Sequence, residues 1–447
     1  MNETQTIKPG SQTAPPCRII GVLDDGIASL TPRAFAHIKQ ADLVIGGNRT
    51  LQLFEPHFAA HTQRRDLTGH LMQVPDWIRD AQADAMQVVV LATGDPLCHG
   101  IAGFLQSRLC IESFEILPNV STIQLSCARL GIPWQDLKIC SVHNGDAGEW
   151  HAGAGPDHGL YPVLQAVHHH DRVAIFTSPH NTPARIARLL IQEGLQDEFR
   201  LAVAEHLLQD DERIITDYPI PQVAENDFAD PNITLLWRIQ PAPRPVLFGL
   251  ADNQYHQRKP DKGLITKREV RAVSLARMQL RSNSVVWDIG AGSGAVGLEA
   301  ARLATDGYVY AIEKNSDDAA IAIQNKRALG ISNYTLVQNK APQGMDAWPN
   351  PDAIFIGGSG GSLAALIIEC LQRLNHHGVL VMNFVTVENL ATATDTLKES
   401  GAHWDITQLQ ASRSRPILNM HRLTAENPVW IVCAQPANPD NNPRRPA

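Results

Sequence analysis

The sequence predicts an α/β protein of two domains, and three observations carry that expectation. Short apolar runs alternate with helical patterns through the N-terminal half. Strand-like runs with helices between them fill the C-terminal half, the pattern of a seven-stranded, doubly wound, Rossmann-like sheet. A glycine-rich turn, Gly290-Ala291-Gly292-Ser293-Gly294, joins the first of those C-terminal strands to a helix. At 447 residues the chain is also too long for one ordinary domain.

In the N-terminal half, Arg18–Leu23 reads as a first strand that turns at Asp24-Asp25-Gly26. Thr31-Pro32 supplies an N-cap and a proline at the first helical position. Val88–Ala92 is a continuous apolar run, as in a strand buried on both faces, and Gly94-Asp95-Pro96 breaks it. Val173–Phe176 is a second such strand. Thr182-Pro183 repeats the helix start, and Gly194 stands where that helix should end. From Asn144 to His170 the chain is rich in Gly, His, Asp and Pro and predicts a long loop.

The C-terminal strands are expected at Val285–Ile289, Tyr308–Ile312, Thr335–Gln338, Ala353–Ile356, Val379–Phe384, Trp404–Leu409 and Val429–Cys433. Helical patterns cover Val296–Ala304, Asp318–Ala328 and Leu363–Leu374. Pro241–Pro245 is the stiffest stretch and the best linker. The expected boundaries are therefore a disordered start at 1–16, a first domain at 17–240, a linker at 241–262, a second domain at 263–435 and a disordered tail at 436–447.

Composition excludes several functions. A formal charge of −8, with no basic patch interleaved with aromatics, argues against nucleic acid and anionic membranes. No apolar run is long enough for a membrane span, and the first sixteen residues lack a signal-peptide core, so a soluble protein is expected. Seven scattered cysteines with no CxxC pair point to a reducing cytoplasm, not to a disulfide framework or zinc ribbon. His168-His169-His170 has no carboxylate or cysteine partner at ligand spacing, so no metal is expected.

The glycine turn can serve two ligand classes, or none if it is only a tight connection. Gly292 to Gly297 matches the GxGxxG pattern of nicotinamide and flavin dinucleotides. Against that, Asp288 precedes the first glycine, and a carboxylate there suits a sulfonium-bearing ligand better than a pyrophosphate. Glu313, 23 residues after Gly290, ends the next strand and can accept hydrogen bonds from ribose hydroxyls. Both cofactors need that contact.

Leu264-Ile265-Thr266-Lys267-Arg268-Glu269-Val270-Arg271, the Asp288–Gly294 turn, Gly357-Gly358-Ser359-Gly360-Gly361 and Ser412-Arg413-Ser414-Arg415-Pro416 together resemble the decarboxylating precorrin methyltransferases of the cobalamin pathway. The resemblance implies that Thr266, Gly290, Ala291, Gly292, Ser293, Gly294, Glu313 and Ala341 line an S-adenosyl-L-methionine pocket. Thr266 has a local alternative, because Thr266-x-x-Glu269 has the form of a capping box.

The first half resembles the tetrapyrrole methylases, which fold as two α/β subdomains. The residues that carry this are Asp24-Asp25-Gly26, Ala41–Gly47, Gly94-Asp95-Pro96-Leu97, Leu117–Thr122, Ala128–Gly131 and Ser141-Val142-His143. It implies a second S-adenosyl-L-methionine cleft with Gly94, Asp95 and Pro96 at its base. After Ser-x-His the family tends to continue Gly-Arg, whereas Asn144-Gly145 stands here. In this order the two halves are similar to the fused C5,15-methyltransferases of precorrin-6Y. The resemblance implies methylation at C5 and C15, loss of the C12 acetate carboxyl, a precorrin-8 product and a homo-oligomer.

Methyl transfer asks the protein mainly for orientation and exclusion of water, because the cofactor carries the activated methyl group. The conjugated macrocycle can itself accept the electron pair released by decarboxylation. Arg413 and Arg415 are candidates for the substrate carboxylates, with Arg268 and Arg271 weaker ones. No catalytic acid or base stands out. The alternatives are S-adenosyl-L-methionine chemistry on another tetrapyrrole or small metabolite, an NAD-dependent oxidoreductase, and a scaffold with one inactive half.

Overall fold

The computed structural model describes residues 15–110, 113–143, 145–151, 153–240, 246–258 and 265–437. Most of the expected disordered ends, all of Pro241–Pro245 and Leu264 lie outside the described residues. The chain divides into two compact units, Met1–Ala152 with His158–Pro241 and Gly153–Asp157 with Ala242–Ala447.

The first unit holds two sheets. One contains β1 (Cys17–Val22), β2 (Leu43–Gly46), β3 (Gln63–Asp66), β4 (Val88–Thr93) and β5 (Phe114–Leu117), ordered β3-β2-β4-β1-β5 and parallel throughout. Alternate residues of one strand enter different cores. Ile19, Val88 and Val90 pack on one face, and Ile20, Val89 and Leu91 on the other. That is why the strand at Val88 reads as an unbroken apolar run.

The second sheet contains β6 (Lys138–Ser141), β7 (Arg172–Phe176), β8 (Phe199–Glu205), β9 (Arg213–Tyr218) and β10 (Asn232–Arg238), ordered β6-β7-β10-β8-β9. Only the β6–β7 pair is parallel. Both expected helix starts form: Thr31 Oγ1 accepts the Ala34 N–H, and Thr182 Oγ1 accepts the Arg185 N–H. The long loop expected to His170 is corrected, because a helix occupies Tyr161–His169. Its buried Val163, Leu164, Ala166 and Val167 carry it, and the histidine run conceals their periodicity.

The second unit is built on β11 (Val285–Ile289), β12 (Tyr308–Glu313), β13 (Tyr334–Gln338), β14 (Ala353–Ile356), β15 (Val379–Phe384), β16 (His403–Leu409) and β19 (Val429–Gln435). The order is β13-β12-β11-β14-β15-β19-β16, with β19 antiparallel to both neighbours. All seven expected strands are present. Trp287, Ile289, Ile354 and Ile356 face one core, and Val286, Ala353 and Phe355 the other. Full burial of such side chains stabilises the fold by roughly 1.5–3 kcal/mol each.

A hairpin of β17 (Ser412–Ile417) and β18 (Met420–Ala425) was not expected, since its pattern of polar and exposed residues has no apolar face. The span expected as linker, 241–262, is also corrected in part. Leu250 and Tyr255 are buried in the core of the second unit.

Candidate functional site

In the second unit the strand order reverses between β11 and β14, and open α/β sheets bind ligands at that point, beyond the strands' carboxyl ends. Gly290 follows β11 and Gly357-Gly358 follow β14. A Cβ on Gly290 would lie 2.5 Å from the Gly358 carbonyl oxygen, and Gly290 has φ +71°, so the crevice requires glycine there. A cavity of about 750 Å³ opens beside this contact. Thr266, Gly290, Gly292, Glu313, Ala341 and Arg415 all line it, so the fold brings these expected site residues together.

Glu313 is 8% exposed, and its two oxygens accept the Gly292 and Asn315 N–H groups, each at 2.9 Å. The carboxylate thus ties the glycine turn to the end of β12 while keeping further acceptor capacity. Ala291, Ser293 and Gly294 are not among the lining residues. Ala291 packs on the core, Ser293 is buried, and Gly294 has φ +78° and caps the helix Ala295–Leu303.

Asp288 departs from its expected role. Its carboxylate is 1% exposed, turns under the helix to accept the Gly297 N–H at 3.0 Å, and is absent from the cavity lining. Burial pushes its pKa up to about 7, only partly offset by that N–H donor. Asp288 Oδ1, Ser293 Oγ and the Tyr334 hydroxyl all lack a partner among the described residues.

The capping-box reading of Thr266 is corrected too. The helix Arg268–Arg277 takes Lys267 as its N-cap with no side-chain cap. Glu269 turns instead to Arg413, which also binds Asp252 Oδ2 at 2.7 Å. Arg413 is therefore held by two carboxylates, whereas Arg415 faces the cavity. Arg271 is fully buried and structural.

Lys314, Lys340 and Asn383 also line the cavity and were not singled out in the sequence. The usable signal was position, since both lysines fall just after strands that end at the ligand side of the sheet. Their side chains and that of Arg415 have no ionic partner among the described residues.

The first unit has a cavity of about 580 Å³, lined among others by Asp24, Arg49, Thr93, His99, His143 and Phe176. Gly94-Asp95-Pro96 forms a tight turn between the lining residues Thr93 and Cys98, although its own three residues are not among the lining. Gly94 has φ +71°, its N–H donates to the Val22 carbonyl, and Asp95 Oδ1 accepts the Leu97 N–H. Gly21 lets the turn approach, because a Cβ there would sit 2.3 Å from the Gly94 oxygen. His143 reaches the cavity with Nδ1 2.8 Å from the Thr177 carbonyl oxygen.

Two family models match the chain: tetrapyrrole (corrin/porphyrin) methylases over residues 17–220, and a precorrin methyltransferase domain over residues 259–434. The precorrin-6Y C(5,15)-methyltransferase [decarboxylating] of Sinorhizobium sp. is 30% identical over 90% of this chain and 92% of its own length. The cobalt-precorrin-6B C(15)-methyltransferase (decarboxylating) of Salmonella typhimurium is 37% identical over 38% of this chain and 88% of its own length. Among solved structures, precorrin-6Y C5,15-methyltransferase from Geobacter metallireducens GS-15 is 36% identical, covers 43% of this chain and 97% of that one, and has a TM-score of 0.41. Similarity at this level over nearly the whole chain places it in the family of decarboxylating precorrin-6Y C5,15-methyltransferases.

Proposed function

We propose that the chain methylates precorrin-6Y at C5 in its first unit and at C15 in its second, where the C12 acetate carboxyl is also lost to give precorrin-8. The carrying observation is the cavity at the β11–β14 reversal, where Gly290 meets Gly358 and Glu313 stands beside the turn. The assignment of C15 to the second unit is supported by the relatives named for C15 alone, which match 38% of this chain.

The residues at this cavity fit S-adenosyl-L-methionine. Gly290 and Gly292 leave the backbone bare for close approach, and Glu313 has lone pairs for ribose hydroxyls. Thr266 and Ala341 line the same cavity. When bound, the cofactor supplies an electrophilic methyl group on sulfur. In the first unit Gly94, Asp95 and Pro96 would support the second cofactor from beside the cavity.

Arg415, Lys314 and Lys340 hold peripheral carboxylates of the substrate. A cation paired with the departing carboxylate would stabilise it and slow its loss. Their task is therefore to engage the other acid groups and leave the C12 acetate in less polar surroundings. Arg413 serves by fixing the hairpin that carries Arg415.

Among the described residues no helix is long and apolar enough to cross a membrane. All seven cysteines are free thiols, which supports a reducing, cytoplasmic setting. Self-association is supported by exposed apolar side chains on the hairpin, including Leu418 at 94% and Leu423 at 73%. Light scattering of the purified chain would test it, and a monomer at all concentrations would remove that part.

Titration calorimetry with S-adenosyl-L-methionine and, separately, NADH tests the cofactor reading. Two S-adenosyl-L-methionine molecules per chain and no NADH are expected. NADH binding without S-adenosyl-L-methionine would overturn it. Mass and NMR analysis of the product from precorrin-6Y then tests the two methylations and the decarboxylation.

A further inference from the structure

We infer that His143 is the catalytic base of the first unit, taking the proton that C5 must release after methylation. The inference rests on the reading that the first unit methylates C5.

The chemistry requires such a group. C5 is a bridge carbon bearing one hydrogen. Once it has gained a methyl group it has four single bonds, and the macrocycle carries one more positive charge. Breaking the C5–H bond returns its electron pair to the conjugated system. The proton passes to an imidazole nitrogen as a new N–H bond forms, and the imidazolium later releases it to water.

His143 is prepared for this by its tether. Its Nδ1 lies 2.8 Å from the Thr177 carbonyl oxygen, which can only accept, so Nδ1 carries the hydrogen. In the neutral ring Nε2 is then an open lone pair, with no partner among the described residues, on a side chain that lines the cavity. Thr177 is itself fixed, since its hydroxyl bonds the Asn232 carbonyl oxygen and side chain at 2.7 and 2.6 Å.

The backbone on both sides of His143 is also held. Buried Asn181 donates through Nδ2 to the Val142 carbonyl at 2.8 Å and to the Gly145 carbonyl at 3.1 Å. One side chain, 1% exposed, thus straps the residues that flank the histidine. Thr177 and Asn181 are positioning residues.

Asp24, Cys98 and His99 also line the cavity and lack this arrangement. Asp24 is paired with Arg49 and accepts from Gln209. Burial raises the Cys98 thiol above its ordinary range. His99 packs its ring on Phe176 and has no hydrogen-bonded tether among the described residues.

The test uses the full chain, precorrin-6Y and S-adenosyl-L-methionine labelled with ¹³C in the methyl group, with the label at C5 and C15 followed by NMR. His143→Gln should slow C5 labelling about 100-fold, the lower end of what a general base contributes. Added imidazole should restore part of the rate to His143→Ala, where space is left for it, and none to His143→Gln. Binding of S-adenosyl-L-methionine should keep the wild-type stoichiometry in both. Imidazole ¹⁵N shifts of the wild-type protein, assigned by the signal missing in His143→Gln, should show hydrogen on Nδ1 and none on Nε2.

C5 labelling at the wild-type rate in His143→Gln overturns the inference, as does the opposite tautomer. Loss of C5 labelling in His99→Gln but not in His143→Gln moves the base to His99 and overturns it equally. If the wild-type chain labels neither carbon, it is the underlying functional reading that has failed.

Discussion

The guanidinium of Arg271 donates from Nε to Glu299 Oε1 at 2.7 Å, and neither side chain reaches solvent. Glu299 also accepts the Gly249 and Leu250 N–H groups and the Tyr255 hydroxyl. Arg271 reaches on to the carbonyl of Thr266, a residue that lines the cavity at the β11–β14 reversal. One buried pair therefore anchors both the segment before the helix Arg268–Arg277 and one edge of the site.

Removing one partner leaves a buried charge without compensation, which costs about 3–5 kcal/mol. Arg271→Met should destabilise the second unit by that order in urea unfolding, with the transition of the first unit unchanged. A loss below about 1 kcal/mol would mean that the segment before the helix contributes little.

Gly290→Ala should remove one S-adenosyl-L-methionine site per chain and leave the other. The new Cβ would lie 2.5 Å from backbone that cannot move aside, at a φ of +71°. Gly21→Ala should do the converse in the first unit, where the obstruction is the Gly94 oxygen at 2.3 Å. Calorimetric stoichiometry should fall from two to one per chain in each variant, and loss of methyl label at C15 in Gly290→Ala but at C5 in Gly21→Ala tells the two apart.

Arg413 and Arg415 should separate cleanly. Arg415→Ala is expected to raise KM for the tetrapyrrole about tenfold or more with little change in stability, because its side chain has no ionic partner among the described residues. Arg413→Ala should lower stability instead. Hydrogen bonds from Arg413 hold Glu269 below the usual carboxylate range, and Asp252 is held low despite its burial, by Arg413 and Arg271. Depressed carboxylates stabilise above their unfolded pKa, and that contribution is lost as pH falls through the folded one. The acid-side decline in stability should therefore be shallower in Arg413→Ala than in the wild type.

Asp288 should act in the opposite sense. Its folded pKa of about 7 lies above the ordinary carboxylate value, so the folded state holds a proton that the unfolded state has lost. Stability from this group falls as pH rises between about 4 and 7 and is level beyond. Asp288→Asn can still accept the Gly297 N–H and should flatten this part of the profile. Urea midpoints at pH 5 and pH 8 measure it, and an unchanged difference would show that Asp288 stays ionised in the fold.

Local chemistry made much of this protein legible from its sequence. Thr31-Pro32 and Thr182-Pro183 start helices because the cap and the proline act within one turn. Val88–Ala92 reads as a strand because both of its faces are buried. The turn from Gly290 to Gly294 is recognisable because three of its residues have positive φ. Tertiary structure decided what depends on distant partners. Arg413 is occupied by Asp252 and Glu269, 161 and 144 positions away, and no local pattern separates it from Arg415. The Tyr161–His169 helix exists because its apolar side finds a core, while the hairpin of β17 and β18 rests on backbone pairing that alternating Ser and Arg do not announce. The imidazole of His143 takes its orientation from Thr177, 34 residues further on, so its role depends on a contact that exists only once β6 and β7 have paired.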